Sequence, residues 1–444
     1  MSVAPVTVLG AGLAGAEAAF QIASRGVPVR LWEMKPTRMS PAHHLPHFAE
    51  LCCSNSLRSD ALSNAVGLLK AEMRQMGSLI MQAADATRVP AGSALAVDRM
   101  LFAQYVTERV KNHPLIEVIE AEATEIPTEG VCVVATGPLT SDALAADIAR
   151  LTGTDGLYFY DAVAPIVDFS SIDMDVAFFA SRYDKGDADY INCPMTEEQY
   201  DAFYQALITA REAELKDFDK EGQSAPQVFE GCMPVEVMAR RGYDTLRYGP
   251  LKPVGLIDSR TGRESFAVVQ LRKENKEGTM YNLVGFQTHL AFPEQKRVFS
   301  MIPGLENANF LRYGVMHRNT YLHSPSFLDA TYATLARPTL FFAGQMTGVE
   351  GYIESAGSGL VAGVNAARAA RGMEPFAFPR LTMLGAMGAY VAEGALSKFV
   401  PMNANFGIVP RLDHKVRGGK SLRNEAISAR ALAALEAVIE EAKR

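Results

Sequence analysis

Along this chain the hydrophobic positions form short β-branched runs followed by alanine-rich stretches near both ends, with a different texture between them. Val6 to Leu9 is a short β-branched and apolar run, and Ala16 to Ser24 is an alanine-rich stretch of helical character. A brief apolar run bounded by a turn reads as a buried strand, and the longer stretch after it as a helix. Gly26 stops that helix, and Val27 to Trp32 predicts a second strand that closes on Glu33. Strand, helix and strand in this order predict a βαβ unit. Further strands are predicted at Gly130 to Val134, running into the turn Ala135-Thr136-Gly137-Pro138, and at Thr339 to Ala343, leading to Gly344. Gly351 to Arg368 then reads as a glycine- and alanine-rich helix.

Between about Asp161 and Pro325 the pattern changes to mixed strands, aromatics and a charged helical stretch around Glu197 to Lys220. The C-terminal third returns to the elements of the beginning. The last part, Lys415 to Arg444, is polar and then rich in alanine and glutamate, which predicts a surface helix.

The turn after the first strand is Gly10-Ala11-Gly12-Leu13-Ala14-Gly15, a GxGxxG spacing. In that motif the first glycine makes the tight turn, the second lets backbone approach a pyrophosphate, and the third lets helix pack on strand. The helix N-terminus presents free N–H groups to phosphate, and an acid at the end of the second strand takes ribose hydroxyls. Glu33 stands at that position. The wording Gly-Leu-Ala-Gly with Glu17 beyond it resembles flavoproteins, so FAD is the expected dinucleotide. Ala135, Thr136 and Gly137 match the turn with which such proteins meet FAD a second time. Gly344, Gln345, Glu350, Gly351 and Tyr352 supply a third contact, where a glycine-rich loop feeds a helix whose dipole stabilises negative charge on a reduced flavin. The fold class expected is α/β, with a Rossmann-like FAD-binding domain of residues 1–160 and 325–444 and an inserted α+β domain of 161–324. A second GxGxxG is missing, so NAD(P)H as reductant must bind without a Rossmann unit of its own.

At 444 residues the chain is long enough for two domains. A hydrophobic content of 48% and mean hydropathy of +0.02 mark a globular protein. Net charge is −7, so any nucleic-acid site must be a local patch. No apolar run reaches the roughly 18 residues of a membrane span, and residues 1–9 carry no charged leader, so a cytoplasmic protein without a membrane partner is expected. The five cysteines are Cys52, Cys53, Cys132, Cys193 and Cys232, without a CxxC pair, and there is no HExxH. A disulfide scaffold and a metal site are therefore not expected.

The remaining motifs converge on one family. Glu33-Met34-Lys35-Pro36, Thr37-Arg38-Met39-Ser40-Pro41-Ala42-His43 and Phe48-Ala49-Glu50-Leu51-Cys52-Cys53-Ser54-Asn55-Ser56-Leu57 resemble the folate- and FAD-dependent tRNA uracil-5 methyltransferases. The likeness continues through Phe229-Glu230-Gly231-Cys232-Met233-Pro234-Val235-Glu236, Gly285-Phe286-Gln287-Thr288-His289 and Gly348-Val349-Glu350-Gly351-Tyr352. It covers nearly the whole chain, whose length suits this family rather than its longer relative that modifies wobble uridine. Two positions depart from it: Cys52 stands where an aliphatic residue is expected, and Gly357 where alanine is. The resemblance implies methylation of a T-loop uridine in tRNA, with 5,10-methylenetetrahydrofolate as carbon donor, reduced FAD as reductant and NAD(P)H as electron source.

Uracil C5 is a poor nucleophile until something adds to C6, and a thiolate suits that addition because it attacks readily and can leave. Cys232 is the preferred nucleophile, with Cys53 beside the flavin holding the methylene or moving the C5 proton; the reverse assignment stays open. Cys52, Cys132 and Cys193 read as packing residues. His289 is expected to stack on folate, or else is a hydrogen-bonded histidine at a strand end. Arg240, Arg241 and Arg247, and Lys415, Arg417, Lys420 and Arg423 in the tail, are candidates for RNA phosphates or ordinary solvated surface. Two other readings remain: a flavin oxidoreductase acting on a small molecule, and an RNA-binding protein that keeps FAD for structure.

Overall fold

The computed structural model describes residues 3–40, 42–153, 157–162, 164–184, 187–213, 233–258, 260–314, 316–394 and 399–444. Five parallel strands form one sheet in the order Leu340–Phe342, Cys132–Val134, Val6–Leu9, Val29–Trp32 and Ile116–Ile119. The second strand begins at Val29 rather than Val27. Pro28 has no N–H to give a ladder, and its carbonyl caps the sheet by accepting from the Val6 N–H at 2.9 Å.

The first helix, Leu13–Ser24, starts three residues before the alanine-rich period does, because Gly12 is its N-cap and the Gly12 carbonyl already accepts from the Ala16 N–H. It lies against the long helix Tyr352–Ala370. A Cβ on Gly359 would stand 2.2 Å from the Ala14 carbonyl oxygen, and one on Gly363 would stand 2.8 Å from the Ala18 Cα. The small residues of both helices thus let two backbones touch. That contact sets the two helix N-termini beside the same sheet edge, each following the carboxyl end of a strand.

A small antiparallel sheet, ordered Ser56–Ser59, Ala94–Val97, Arg88–Val89, and the helices Ala65–Gln75, Leu79–Ala86, Arg99–Lys111, Asp142–Thr152 and Met383–Glu393 belong to the same body. A six-stranded antiparallel sheet forms the other body, in the order Phe178–Ala180, Tyr190–Met195, Ala267–Lys273, Met280–Leu283, Ile166–Asp168 and Phe310–Arg312. Helices Glu197–Ile208, Val235–Arg240 and Phe292–Phe299 accompany it, around a separate apolar cluster that includes Tyr200, Phe203, Phe286 and Phe299. An antiparallel ribbon of Leu157–Ala162 and Met316–Tyr321 joins the two bodies.

The charged stretch expected to be helical over Glu197 to Lys220 stops at Ile208. Beyond it the chain turns extended and pairs with 289–291: Ala213 N–H donates to the His289 carbonyl and Ala291 N–H to that of Arg211. Residues 214–220 lie outside the described residues. The tail helix, Lys420–Glu436, is less superficial than expected. Its face of Asn424, Ile427, Ser428, Ala431 and Leu435 is buried, and Asn424 and Ser428 donate to the carbonyls of Ser63 and Leu62. Among the described residues no helix is long and apolar enough to cross a membrane.

Candidate active site

At the carboxyl edge of the parallel sheet an open cleft is lined by Gly10, Gly12, Trp32, Glu33, Thr136 and Leu144, among others. Gly10 has a φ of +92°, and a Cβ there would stand 2.8 Å from the Ala135 carbonyl oxygen and the Thr136 Cα. The Gly10 turn and the Ala135–Gly137 turn are therefore in backbone contact. A Cβ on Gly15 would meet the Gly10 carbonyl oxygen at 1.8 Å. Gly12 differs, because a Cβ there would meet nothing within 4 Å. Its missing side chain is not needed for packing and leaves a space that a phosphate group fits. The helix that begins at Leu13 has no side-chain cap, so its first N–H groups face that space.

Glu33 braces the fingerprint. One carboxylate oxygen accepts from the Ala11 N–H at 2.7 Å and the other from the Lys35 N–H at 3.0 Å. Each oxygen retains a lone pair for a hydroxyl donor. Crevices at the carboxyl ends of strands in such sheets hold dinucleotides, and these residues fit the adenosine and pyrophosphate of FAD.

The third segment forms a compact turn over Gln345–Thr347. Gly344 N–H donates to Ser358 Oγ at 2.7 Å, and the Gln345 amide to both oxygens of Glu350 at 2.9 Å. Gly351 is the N-cap of the helix Tyr352–Ala370, again without a side-chain cap. Its positive dipole end stands ready for a partly anionic ring system.

That helix brings Tyr352 to Cys53. The phenol oxygen accepts from the N–H groups of Cys53 at 2.7 Å and Ser54 at 3.3 Å, and lies 2.9 Å from the Cys53 Sγ. With both lone pairs engaged, the phenol hydrogen is directed at the sulfur. Burial pushes the Tyr352 hydroxyl well above the usual phenol range, and the neighbouring Cys53 adds to this, so the group is a proton donor. In the other described cysteines, Cys52, Cys132 and Cys193, burial pushes the thiol up to about 12. They stay protonated and pack as small apolar groups, including Cys52 at its unusual position.

Three arginines around Cys53 carry no signal in the sequence. Arg99 donates to the carbonyls of Leu51 at 2.7 Å and Cys52 at 2.9 Å and pairs with Glu274. Arg272 donates to Ser54 Oγ at 2.6 Å and Asn55 Oδ1 at 2.9 Å. Arg58 pairs with the buried Glu354 in the first turn of the Tyr352–Ala370 helix. Arg272 and Glu274 come from the six-stranded sheet and the turn after its strand Ala267–Lys273, so this sheet grips the Cys53 loop directly.

Cys232 lies outside the described residues. The helix that follows it, Val235–Arg240, packs on the 285–290 segment: Glu236 accepts from Thr288 Oγ1 at 2.9 Å and from the His289 N–H at 2.7 Å. The His289 ring stands 3.7 Å from Glu212, whose carboxyl is held down to about 2 chiefly by His289, with help from Arg240 and against burial. Arg240 is thus already ion-paired, and Arg247 is held by Asp244 and lies 3.7 Å over the Phe266 ring. Arg241 follows the helix as its C-cap. Lys415, Arg417, Lys420 and Arg423 are exposed, far along the chain from this cluster. Among the described residues no group of three histidine, cysteine or carboxylate side chains is arranged to hold a metal.

A family profile described as glucose inhibited division protein A matches residues 5–374. The methylenetetrahydrofolate–tRNA-(uracil-5-)-methyltransferase TrmFO of Heliobacterium modesticaldum is 61% identical over 436 residues, 98% of each chain. The protein of the same name from Geobacter sulfurreducens is 60% identical over 432 residues, 97% of this chain and 98% of the relative. Among solved structures, Aquifex aeolicus GidA in its form I crystal has a TM-score of 0.69 at 18% identity, covering 99% of this chain and 76% of that one, which shows the shared α/β fold. Identity of this order over nearly the full length places the chain in the TrmFO family of methylenetetrahydrofolate–tRNA-(uracil-5-)-methyltransferases.

Proposed function

We propose that this protein transfers the methylene of 5,10-methylenetetrahydrofolate to C5 of a T-loop uridine in tRNA and reduces it to methyl, giving 5-methyluridine. The names of its relatives support the substrates, and the pairing of the Cys53 thiol with Tyr352 at the N-terminus of the helix Tyr352–Ala370 is the observation that carries the chemistry. FAD held in the cleft and reduced with electrons from NAD(P)H would supply the hydride that turns the transferred methylene into a methyl group. Gly10, Ala11, Gly12, Gly15, Glu33 and Ala135 to Gly137 hold its nucleotide, and Gly344, Gln345, Glu350, Gly351 and Tyr352 the ring end.

Cys232 adds through its sulfur to C6 of the uracil, making C5 nucleophilic toward the folate methylene. Cys53, with the Tyr352 hydroxyl as its partner, takes the C5 proton. Loss of the C5 proton expels tetrahydrofolate by breaking the bond from the methylene to its nitrogen, and a hydride added to the exocyclic methylene then expels the Cys232 sulfur from C6 and restores the ring. Enzymes that work on a base generally take it out of its stack, and a tRNA loop lowers that cost. His289 orients folate, while Arg240, Arg241 and the tail cations Lys415, Arg417, Lys420 and Arg423 meet RNA phosphates.

The division into 1–160 with 325–444 as the FAD-binding domain and 161–324 as the inserted domain is part of this proposal. It is supported by the two separate apolar clusters and by the ribbon between them. A cytoplasmic site of action accords with a tRNA substrate.

The test gives purified protein unmodified tRNA, NAD(P)H and folate with a labelled methylene, followed by nucleoside analysis. Label in 5-methyluridine that depends on folate and reductant is expected. NAD(P)H oxidation without label in RNA would instead favour an oxidoreductase of small molecules.

A further inference from the structure

Arg99 begins the helix Arg99–Lys111, where a cation opposes the helix dipole, so its place is not explained by helix stability. It is held there from the inserted sheet. Its Nε and Nη2 meet the two oxygens of Glu274 at 2.5 and 3.2 Å. The preceding residue, Asp98, caps the helix through the Leu101 N–H and with its other oxygen accepts from the Lys276 N–H at 3.0 Å. The turn after the strand Ala267–Lys273 therefore grips Asp98 and Arg99 together.

The remaining arm of the guanidinium reaches the peptide that precedes the reactive sulfur. Arg99 Nη1 donates to the Cys52 carbonyl at 2.9 Å, and the N–H of that same peptide, on Cys53, donates to the Tyr352 oxygen at 2.7 Å. The Tyr352 hydrogen then points to the Cys53 sulfur, so guanidinium, peptide, phenol and thiol form one line of bonds in which each polarises the next. We propose that Arg99, fixed by Glu274, is a positioning residue that orients the Cys53 peptide and favours the thiolate at Cys53, so that docking of the inserted sheet readies the sulfur. This rests on the reading of Cys53 as a reacting thiol.

Arg99 and Tyr352 interact with Cys53 itself, and the other charged groups facing the loop are Arg312 and Lys35 beside Cys52, Arg272 on Ser54, Arg58 with Glu354, and the carboxylates of Glu274 and Glu50. Burial works against the charge of Arg99, but Glu274, Tyr352 and Cys53 outweigh it and keep the guanidinium protonated. A nearby cation favours the charged form of a thiol over the neutral one.

The experiment follows alkylation of Cys53 by iodoacetamide in the full FAD-loaded chain as a function of pH, read by fragment mass spectrometry that separates Cys53 from Cys52. Arg99→Met is expected to slow Cys53 alkylation at pH 7 about tenfold and to move its midpoint to higher pH. Arg99→Lys, which keeps charge without the fork, should recover part of the rate. Glu274→Gln, which loosens the two-oxygen clamp on the guanidinium, should slow it too, by less than Arg99→Met. FAD content and circular dichroism identify folded variants, and the last two carry the test if Arg99→Met does not fold. Folded Arg99→Met with an unchanged profile, or Arg99→Lys and Glu274→Gln that both alkylate at the rate of the unaltered protein, would overturn the proposal. The assay needs neither folate nor RNA, so its failure is distinct from failure of the methylation reading.

Discussion

The Tyr352 hydroxyl stands 2.9 Å from the Cys53 sulfur, although 299 residues of chain separate them. It is also the acceptor for two backbone N–H groups of the Cys53 loop. Tyr352→Phe leaves those donors without a partner inside the protein, at a cost of about 1–3 kcal/mol in stability. Loss of the proton donor should also slow 5-methyluridine formation, on the order of a hundredfold. Thermal unfolding and single-turnover kinetics check the two effects separately; unchanged turnover would remove Tyr352 from the chemistry.

Glu33→Ala removes the acceptor for the Ala11 and Lys35 N–H groups as well as the expected ribose contact. FAD affinity should fall tenfold or more, since about 1–3 kcal/mol goes with a lost buried acceptor. Flavin content on purification and titration of the apoprotein measure it. Full retention of FAD by the variant would contradict the cleft assignment.

Two glycines two residues apart on the helix Tyr352–Ala370 should respond in opposite ways. A Cβ on Gly357 meets only the Leu384 and Leu69 methyls at 3.4 Å and the Met73 sulfur at 3.7 Å, whereas one on Gly359 runs into the Ala14 backbone at 2.2 Å. Gly357→Ala should gain about 1 kcal/mol from helix propensity. Gly359→Ala must push the two helices apart and lose several degrees in melting temperature together with FAD. Equal effects of the two substitutions would argue against the described helix contact.

Glu72 is buried and caps another helix, accepting from the N–H groups of Met383 and Leu384. Burial pushes its carboxyl up to about 8, against those two donors, from an ordinary value of 4.5. The folded protein thus keeps a proton that the unfolded chain releases. Its contribution to stability is complete below 4.5 and is lost as pH rises through about 8. Glu72→Gln should flatten the fall in unfolding free energy between those values while lowering stability at acidic pH, because one acceptor becomes a donor. Denaturant titrations at several pH values decide it, and an unaltered slope would show that Glu72 does not hold the proton.

Neutralising Lys415, Arg417, Lys420 and Arg423 with glutamine should weaken tRNA binding. The slope of log affinity against log salt should shrink by about 0.7 to 0.9 for each phosphate that no longer meets a cation. The fold should not change, because all four side chains are exposed. Filter binding across a salt series gives the slope, and an unaltered one would return the tail to plain surface.

How much of this is legible depends on how local each signal is. The opening strand, turn and helix lie within two dozen residues, and the α/β class follows from them. The helix start at Leu13 is hidden because those residues belong to the fingerprint and precede the alanine period. The strand Ile116–Ile119 escapes notice, since its four residues look like many loop segments until Val29–Trp32 is beside them. Arg99 sits in an ordinary helical run, and nothing within that run points to Glu274, which meets it from 175 positions away. The tail helix looks superficial because only Ile427 and Leu435 of its buried face are large and apolar, while Asn424, Ser428 and Ala431 give a weak apolar signal.

The ribbon of Leu157–Ala162 and Met316–Tyr321 carries the chain into the six-stranded body and out again on adjacent strands. Entry and exit are thus about 5 Å apart, one strand spacing. A cut there divides neither large apolar cluster, and polar bridges such as Arg99 to Glu274 join the two bodies elsewhere. The molecule is wired like a socket and plug: a different module could be spliced onto the same two strands without rethreading the parallel sheet, and its reach over Cys53 would depend on the few side chains that latch it.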